Sequence, residues 1–234
     1  MKILVFTDVH GNLSCLEALA NTEDFKSADK IIFLGDVIIG CSRPNECINF
    51  LKNINCIKIL GNNDFYISRH IPEVDMTEFS GEKLKQAEYM KSILTYENKK
   101  EILSWEMDYN LNIDNIKFYF THYAWENYNN DVNVVDSPIN PTLQDREKAF
   151  KDIDTDYIIF GHEHKSNCFF GENKVYYCLG SLGLKSPSGY LLIEIENGEV
   201  KLQEKQIKHD INYEIELMDK AGYPYEKSKI KGNK

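Results

Sequence analysis

The sequence predicts an α/β fold with a parallel core followed by antiparallel strands, and three features carry that expectation. Five strand-length runs, Lys2 to Thr7, Lys30 to Leu34, Cys56 to Leu60, Ile116 to Phe120 and Tyr157 to Phe160, are nearly continuous in apolar residues, as strands covered on both faces are. Helical periodicity fills the spaces after the first two runs, which is the order of parallel crossover units. From Asn167 onward the pattern changes to short runs joined by tight turns, the mark of antiparallel strands.

The helices are set by spacing. Asn12 to Ala20 places Leu13, Leu16 and Leu19 on one face, and Pro44 to Asn53 does the same with Cys47, Ile48 and Leu51, Pro44 taking the first helical position. Glu82 to Tyr96 reads as a helix, and Lys99 to Trp105 either extends it or forms a second. Tyr123 to Pro141, rich in Asn, Asp and aromatics, reads as a long loop placed to shape substrate access. Thr142 to Ile153 resumes a helix, with Thr142 as its cap and Asp145 three residues on.

The late strands are expected at Cys168 to Phe170, Val175 to Leu179, Tyr190 to Glu196 and Glu199 to Gln206, the last pair joined by Asn197-Gly198. Ile211 to Ala221 closes the chain as a helix stopped by Gly222, and could pack on the sheet or on another subunit. Residues 1–225 are expected to form one domain and the Lys-rich residues 226–234 a frayed tail.

Composition narrows the function. With 234 residues, 42% hydrophobic, the chain is long enough for one sizeable core. Its 37 acidic against 27 basic residues give a net charge of -10, which disfavours charge-driven wrapping of nucleic acid, so a polyanion must be met locally. No run reaches the roughly 20 apolar residues that cross a bilayer, and the start MKILVFTDVHG lacks a basic segment and cleavage site. A soluble, cytoplasmic protein is expected. Six cysteines without a CxxC pair read as reduced, mostly buried thiols.

The residues at the carboxyl end of each of the five runs carry the chemistry: Asp8-Val9-His10-Gly11-Asn12, Gly35-Asp36, Gly61-Asn62-Asn63-Asp64, Thr121-His122 and Gly161-His162-Glu163-His164. The carboxyl ends of parallel strands share one edge, where α/β proteins gather ligands. Taken singly, an Asp after a strand is a common helix cap and a strand-end His a structural hydrogen-bonder. Together, four imidazoles, two carboxylates and an amide buried at one edge without cations would leave polar groups poorly compensated. Two adjacent divalent ions sharing one carboxylate would use them all.

In this order the motifs DxH, GD, GNxD, H and GHxH make the chain resemble the calcineurin-like metallophosphoesterases, most closely the small bacterial phosphodiesterase-type branch. Gly180-Ser181-Leu182-Gly183 and Ala221-Gly222-Tyr223-Pro224 fit that branch too. The resemblance implies a four-layer α/β/β/α sandwich of two mixed sheets. It assigns Asp8, His10 and His164 to one metal and Asn62, His122 and His162 to the other, with Asp36 bridging. Imidazole with carboxylate suits borderline first-row cations, Mn first, then Fe, Zn or Ni. The implied activity is hydrolysis of phosphate esters or anhydrides of a small phosphorylated molecule, such as a nucleotide, by direct attack of a metal-bridging hydroxide.

One position departs from the pattern. Asn63 stands where relatives carry His or Cys, and its amide does not titrate, so it can donate a hydrogen bond to a phosphoryl oxygen but not a proton. Good leaving groups are therefore expected. Arg43, after the Gly35-Asp36 loop, is a candidate clamp for a second phosphate, its alternative being an ordinary surface loop. Asn12 reads as a helix cap, while Tyr123, Trp125 and Tyr128 either stack on a base or pack the loop. His70 and His209 read as ordinary surface or loop residues. Two other functions stay open, a phosphodiesterase or nuclease on oligonucleotide ends and a metal-binding scaffold with little catalysis. A homo-oligomer is also open.

Overall fold

Alternation along the first strand sets the layering. Ile3 and Val5 point to one side and Leu4 and Phe6 to the other, yet all four are fully buried, so this strand lies between two cores. The structure, a computed structural model, describes residues 1–68, 80–128 and 131–225. The elements in order are β1 (Lys2–Phe6), α1 (Leu13–Ala20), α2 (Glu23–Ser27), β2 (Lys30–Phe33), α3 (Pro44–Lys52), β3 (Ile57–Lys58), α4 (Asn62–Ser68), α5 (Gly81–Ile93), α6 (Tyr96–Leu103), β4 (Asp108–Ile113) and β5 (Ile116–Thr121). Next come β6 (Trp125–Tyr128), β7 (Asp131–Val134), α7 (Leu143–Ala149), β8 (Tyr157–Phe160), β9 (Asn167–Phe170), β10 (Val175–Cys178), β11 (Ser188–Glu196), β12 (Glu199–Ile207) and α8 (Ile211–Ala221).

Ten of these strands form two five-stranded mixed sheets, ordered β12-β11-β1-β2-β3 and β4-β5-β8-β10-β9. In the first, β1 runs parallel to β2, with Phe6 opposite Phe33, and antiparallel to β11, with Leu4 opposite Leu192. In the second, β8 runs parallel to β5 and β10. Ile3, Val5, Ile32 and Leu191 of one sheet meet Phe118, Phe120 and Ile159 of the other in a central core. Leu4, Phe6 and Phe33 pack outward under helices bearing Leu16, Leu19, Ile48, Leu51 and Met218. On the far side Ile158, Phe160 and Tyr176 pack with Phe150 and Leu143. Helices thus cover both outer faces of a sheet pair.

Local differences from expectation have local causes. The five apolar runs divide between the sheets, β1, β2 and β3 in one and β5 and β8 in the other. The third run pairs over only two residues, Ile57–Lys58. The helix expected at Glu82 to Tyr96 ends at Ile93, because Leu94 turns to ψ 125 and Thr95 caps α6 by accepting from Asn98 N. Tyr123 to Pro141 is not all loop, since it holds the antiparallel pair β6 and β7, Trp125 opposite Val134. Helix α7 is shorter than expected, ending at Ala149, though both arms of its Thr142–Asp145 capping box form.

The last helix packs on this chain's own core through Ile211 and Met218 and stops at Gly222, whose φ of 64 suits glycine. All six cysteines are free, four buried, Cys56 half-buried and Cys168 exposed. Among the described residues no helix is long and apolar enough to cross a membrane. His70 and the tail at 226–234 lie outside the described residues.

Candidate metal centre

Each motif begins where a strand stops and the chain turns sharply. Asp8, His10, Asp36, His162 and His164 all take positive φ, between 52 and 71. Such left-handed residues cost on the order of 1–2 kcal/mol apiece and persist only where their surroundings hold them. Asp64 supplies much of that hold: its buried carboxylate accepts from Asp36 N (2.8 Å), Val37 N (3.0 Å), Ile38 N (3.2 Å) and Gly61 N (3.2 Å), locking two motif loops together. Asp8 N donates to Gly35 O (2.9 Å) and His10 N to Asp36 O (3.0 Å), joining the first loop to the second.

The side chains then converge. Thr7 Oγ1 (2.7 Å) and His162 N (3.1 Å) donate to Asp8 Oδ2. Asp8 Oδ1 is buried, has no hydrogen bond, and lies 3.1 Å from His164 Nε2 and 3.4 Å from His10 Nε2. Those two ring nitrogens are themselves 2.9 Å apart. Ligand atoms of Asp8, His10, Asp36 and His164 all fall within 4.8 Å of one another. A second group adjoins them: Asn62 Oδ1 is 3.0 Å from His122 Nε2 and 3.0 Å from His162 Nδ1, and His122 Nε2 is 3.5 Å from Asp36 Oδ2.

Proton placement tells what this arrangement is for. His10 Nδ1 faces Ile38 O (3.1 Å) and His122 Nδ1 faces Leu34 O (2.8 Å). A carbonyl only accepts, so both rings carry a proton on Nδ1 and turn Nε2 inward. His122 Nε2 and Asn62 Oδ1 are then two potential ligand atoms 3.0 Å apart. The donor set of imidazole, carboxylate and amide oxygen gathered here fits first-row divalent ions.

Electrostatics agree. Burial opposes ionisation of Asp8, but the imidazoles of His164 and His10 outweigh it and hold the carboxyl well below its ordinary value. Burial alone would lower His10, yet Asp8 and Asp36 raise it to about 9, so this corner draws positive charge. Burial and the neighbouring His122 lower His162 to about 4, keeping that ring neutral and able to ligate. Burial and the Asp36 carboxylate push Asp64 up to about 7.

All seven residues picked out by the motifs are therefore brought to one place. Asn63 joins them: its backbone N donates to Asp36 Oδ1 (2.9 Å) and its side-chain Nδ2 to Asp36 Oδ2, while its buried Oδ1 has no partner. Arg43 is turned elsewhere. Its guanidinium pairs with the fully buried Glu214 of α8 and donates to Ser14 Oγ (3.1 Å), tying the last helix to α1 and α3. Asn12 caps α1 by accepting from Cys15 N and also donates to Gly183 O (2.7 Å).

Of the loop aromatics, Tyr123 is buried and stacks on the His162 ring at 5.0 Å, and Trp125 packs edge-on to Phe65 at 5.7 Å. Both pack the segment, and the Tyr128 side chain lies outside the described residues. His209 lies in the loop between β12 and α8, as expected, half-buried with its Nε2 3.2 Å from Asn12 Nδ2. Sequence reasoning gives no role to Asp64, although it stands in the Gly61-Asn62-Asn63-Asp64 motif. It also passes over Thr7 and the pair of Arg146 with Glu163, whose residues are far apart in the chain.

Facing mixed sheets that bring buried Asp, His and Asn acceptors to one point define a metal-dependent phosphoesterase. Residues 1–198 match the calcineurin-like phosphoesterase superfamily domain, and the chain belongs to that superfamily. A metallophosphoesterase of Sphaerobacter thermophilus has a similar fold, with TM-score 0.68 and 18% identity, covering 96% of this chain and 95% of that one. So does the hypothetical protein PH1004 of Pyrococcus horikoshii OT3, with TM-score 0.76, 18% identity, and 95% and 94% coverage. Uncharacterized protein MJ0912 of Methanocaldococcus jannaschii is 28% identical over 120 residues, 51% of this chain, and the match spans about half of that relative, 48%.

Proposed function

We propose that the chain is a dinuclear metal-dependent phosphoesterase that hydrolyses phosphate esters or anhydrides of a small molecule, such as a nucleotide. The observation that carries this reading is the convergence of His122 Nε2 and His162 Nδ1 on Asn62 Oδ1, each at 3.0 Å, beside the partnerless Asp8 Oδ1. Asp8, His10 and His164 would hold one ion, Asn62, His122 and His162 the other, and Asp36 both, with Mn the first choice among Mn, Fe, Zn and Ni. When bound, the ions supply Lewis acidity toward phosphoryl oxygen and a water acidic enough to attack phosphorus.

The chain's own residues do the rest. Thr7 and the His162 N–H orient Asp8, the Ile38 and Leu34 carbonyls fix the two ring tautomers, and Asn63 holds Asp36 through two hydrogen bonds. With no titrating group at position 63, the leaving oxygen takes its proton from solvent, which favours aryl esters, anhydrides and activated diesters. A panel of phosphatase and phosphodiesterase substrates, run after chelation with each metal returned singly, tests the reading. Metal-dependent phosphate release supports it. No turnover on any substrate with any metal would leave the scaffold reading instead.

A further inference from the structure

One short stretch of chain grips His10. Ile38 O faces its Nδ1 (3.1 Å), Cys41 N donates to its carbonyl (2.6 Å), and Gly40 lies so near that a Cβ there would come within 2.7 Å of the His10 Cβ. The direction of the His10 ring is therefore only as fixed as residues 38–41. That stretch is strained. Ile39 takes φ 59, a left-handed conformation that a β-branched side chain resists, and Gly40 follows at φ 136. A conformation of this kind persists only where its surroundings hold it.

Asp64 holds the loop as far as Ile38 N (3.2 Å). The next hold comes from the other end of the chain. Tyr223, 183 residues away and just past α8, is buried, and its hydroxyl oxygen accepts from Gly40 N (2.8 Å). The Tyr223 ring is set edge-on to Tyr89 at 5.1 Å and stacked on Tyr225 at 6.5 Å, which aims the hydroxyl at the turn. The same C-terminal stretch ties down the residues that follow the grip on both loops. Glu214 of α8 pairs with Arg43 and accepts from Ser14 N (2.9 Å), and His209 Nε2 lies 3.2 Å from Asn12 Nδ2.

We propose that Tyr223 is a positioning residue of the metal centre: through the Gly40 amide it fixes the strained turn at residues 38–41, and through that turn it sets where His10 Nε2 points. Its effect falls on the ion that Asp8, His10 and His164 would hold. The other group is oriented separately, His122 Nδ1 resting on Leu34 O (2.8 Å). This rests on the two-ion reading above and gives one ion a dependence on the C-terminal segment that the other lacks. Groups that orient a ligand directly change metal affinity by about 10- to 100-fold when lost. Tyr223 works at one remove, so the low end of that range, about tenfold, is expected.

The test is calorimetric titration with Mn²⁺ of the wild type, Tyr223→Phe and Tyr190→Phe. The first variant keeps the ring and removes only the hydroxyl. The second removes another buried hydroxyl, one bonded to Asp24 (2.7 Å) and remote from the ligands, and so reports what general loosening of the fold does. Tyr223→Phe should weaken one of two binding events about tenfold and leave the other, whereas Tyr190→Phe should leave both. Placed in His122→Ala, Tyr223→Phe should weaken binding by the same factor; placed in His10→Ala it should change nothing, because residues that act through one another are not additive. Amide exchange gives a reading that needs no substitution at Tyr223: since coupling is reciprocal, Mn²⁺ should slow exchange at Gly40 about fivefold or more in the wild type and not in His10→Ala. Unchanged affinity in Tyr223→Phe, an equal loss in Tyr190→Phe or in His10→Ala, or exchange at Gly40 indifferent to Mn²⁺ overturns the inference alone. Failure of the wild type to bind Mn²⁺ overturns the metal reading beneath it.

Discussion

The guanidinium of Arg146, on α7, forms a two-pronged ion pair with the carboxylate of Glu163, the residue between His162 and His164. Arg146 is fully buried, lies 4.9 Å over the Phe160 ring, and donates to Tyr123 Oη (3.2 Å), whose own ring stacks on His162. One buried arginine thus braces the turn bearing two motif histidines from behind and from the side. Arg146→Met would strand the Glu163 charge and is expected to cost about 3–5 kcal/mol in urea unfolding. Adding Glu163→Gln should restore part of that loss, since the two sites couple. A cost within the roughly 0–1 kcal/mol of an exposed pair would show that the brace bears no strain.

Two glycines make the close approach of the loops possible. A Cβ on Gly61 would collide with Asp36 N and Oδ1, and one on Gly161 would meet Thr7 Oγ1 and come 2.7 Å from Asp8 Oδ2. Gly61→Ala and Gly161→Ala should therefore displace the carboxylates that the motifs supply. Calorimetric titration with Mn²⁺ is expected to show affinity lowered by about 10- to 100-fold, the usual cost of disturbing groups that orient ligands. Unaltered affinity in both variants would place the ions elsewhere.

Legibility in the sequence depends on the range of the interaction. β1, β2, β5 and β8 are readable because both faces of each strand are covered, which leaves a run such as Ile3-Leu4-Val5-Phe6 with no polar break. β4 is not, because its residues Asp108 to Ile113 alternate polar with apolar at a sheet edge, and β6 and β7 are hidden in an Asn-rich stretch. At the site, the seven motif residues stand at strand ends and announce themselves. Arg146 looks in the sequence like any helical arginine, for its partner lies 17 residues away, and Arg43 looks like a free cation because Glu214 lies 171 residues away.

Asn63 gives a prediction about leaving groups. Its amide holds Asp36 and offers no proton. Asn63→His should raise turnover of alkyl esters, by as much as about 100-fold where the leaving group is poor, and change aryl esters far less. The check is the slope of log kcat/KM against leaving-group pKa, which should flatten in the variant. Equal gains across the series would remove general acid catalysis as the explanation.

A pH effect is expected far from the site. Asp24, on α2, accepts from Lys205 Nζ (2.8 Å) on β12 and Tyr190 Oη (2.7 Å) on β11, and the Lys205 hydrogen bond lowers its pKa. A lowered carboxyl pKa contributes stability that is present above the ordinary value of 3.8 and fades as pH falls through the depressed one. Asp24→Asn should cost about 0.2–1 kcal/mol at neutral pH, within the range of partly exposed pairs. That difference from wild type, followed by urea unfolding, should shrink on acidification below 3.8. A gap that widens toward acid would reverse the assigned sign.

Removal of metal should act on stability as well as on turnover. Asp8 and Asp36 are almost wholly buried, and Asp8 Oδ1 has no hydrogen bond to offset its charge. An ion bound only to the folded chain stabilises it by RT ln(1 + [L]/Kd), about 2.7 kcal/mol at a hundredfold excess over Kd. Chelation should therefore lower the melting temperature, and Mn²⁺ should restore it in a concentration-dependent way. Asp36→Asn removes the carboxylate that the proposed two-ion site would share between both ions, so its melting temperature should respond far less to Mn²⁺ than that of the wild type. The same response in both proteins would mean that the stabilising ion is not held by Asp36.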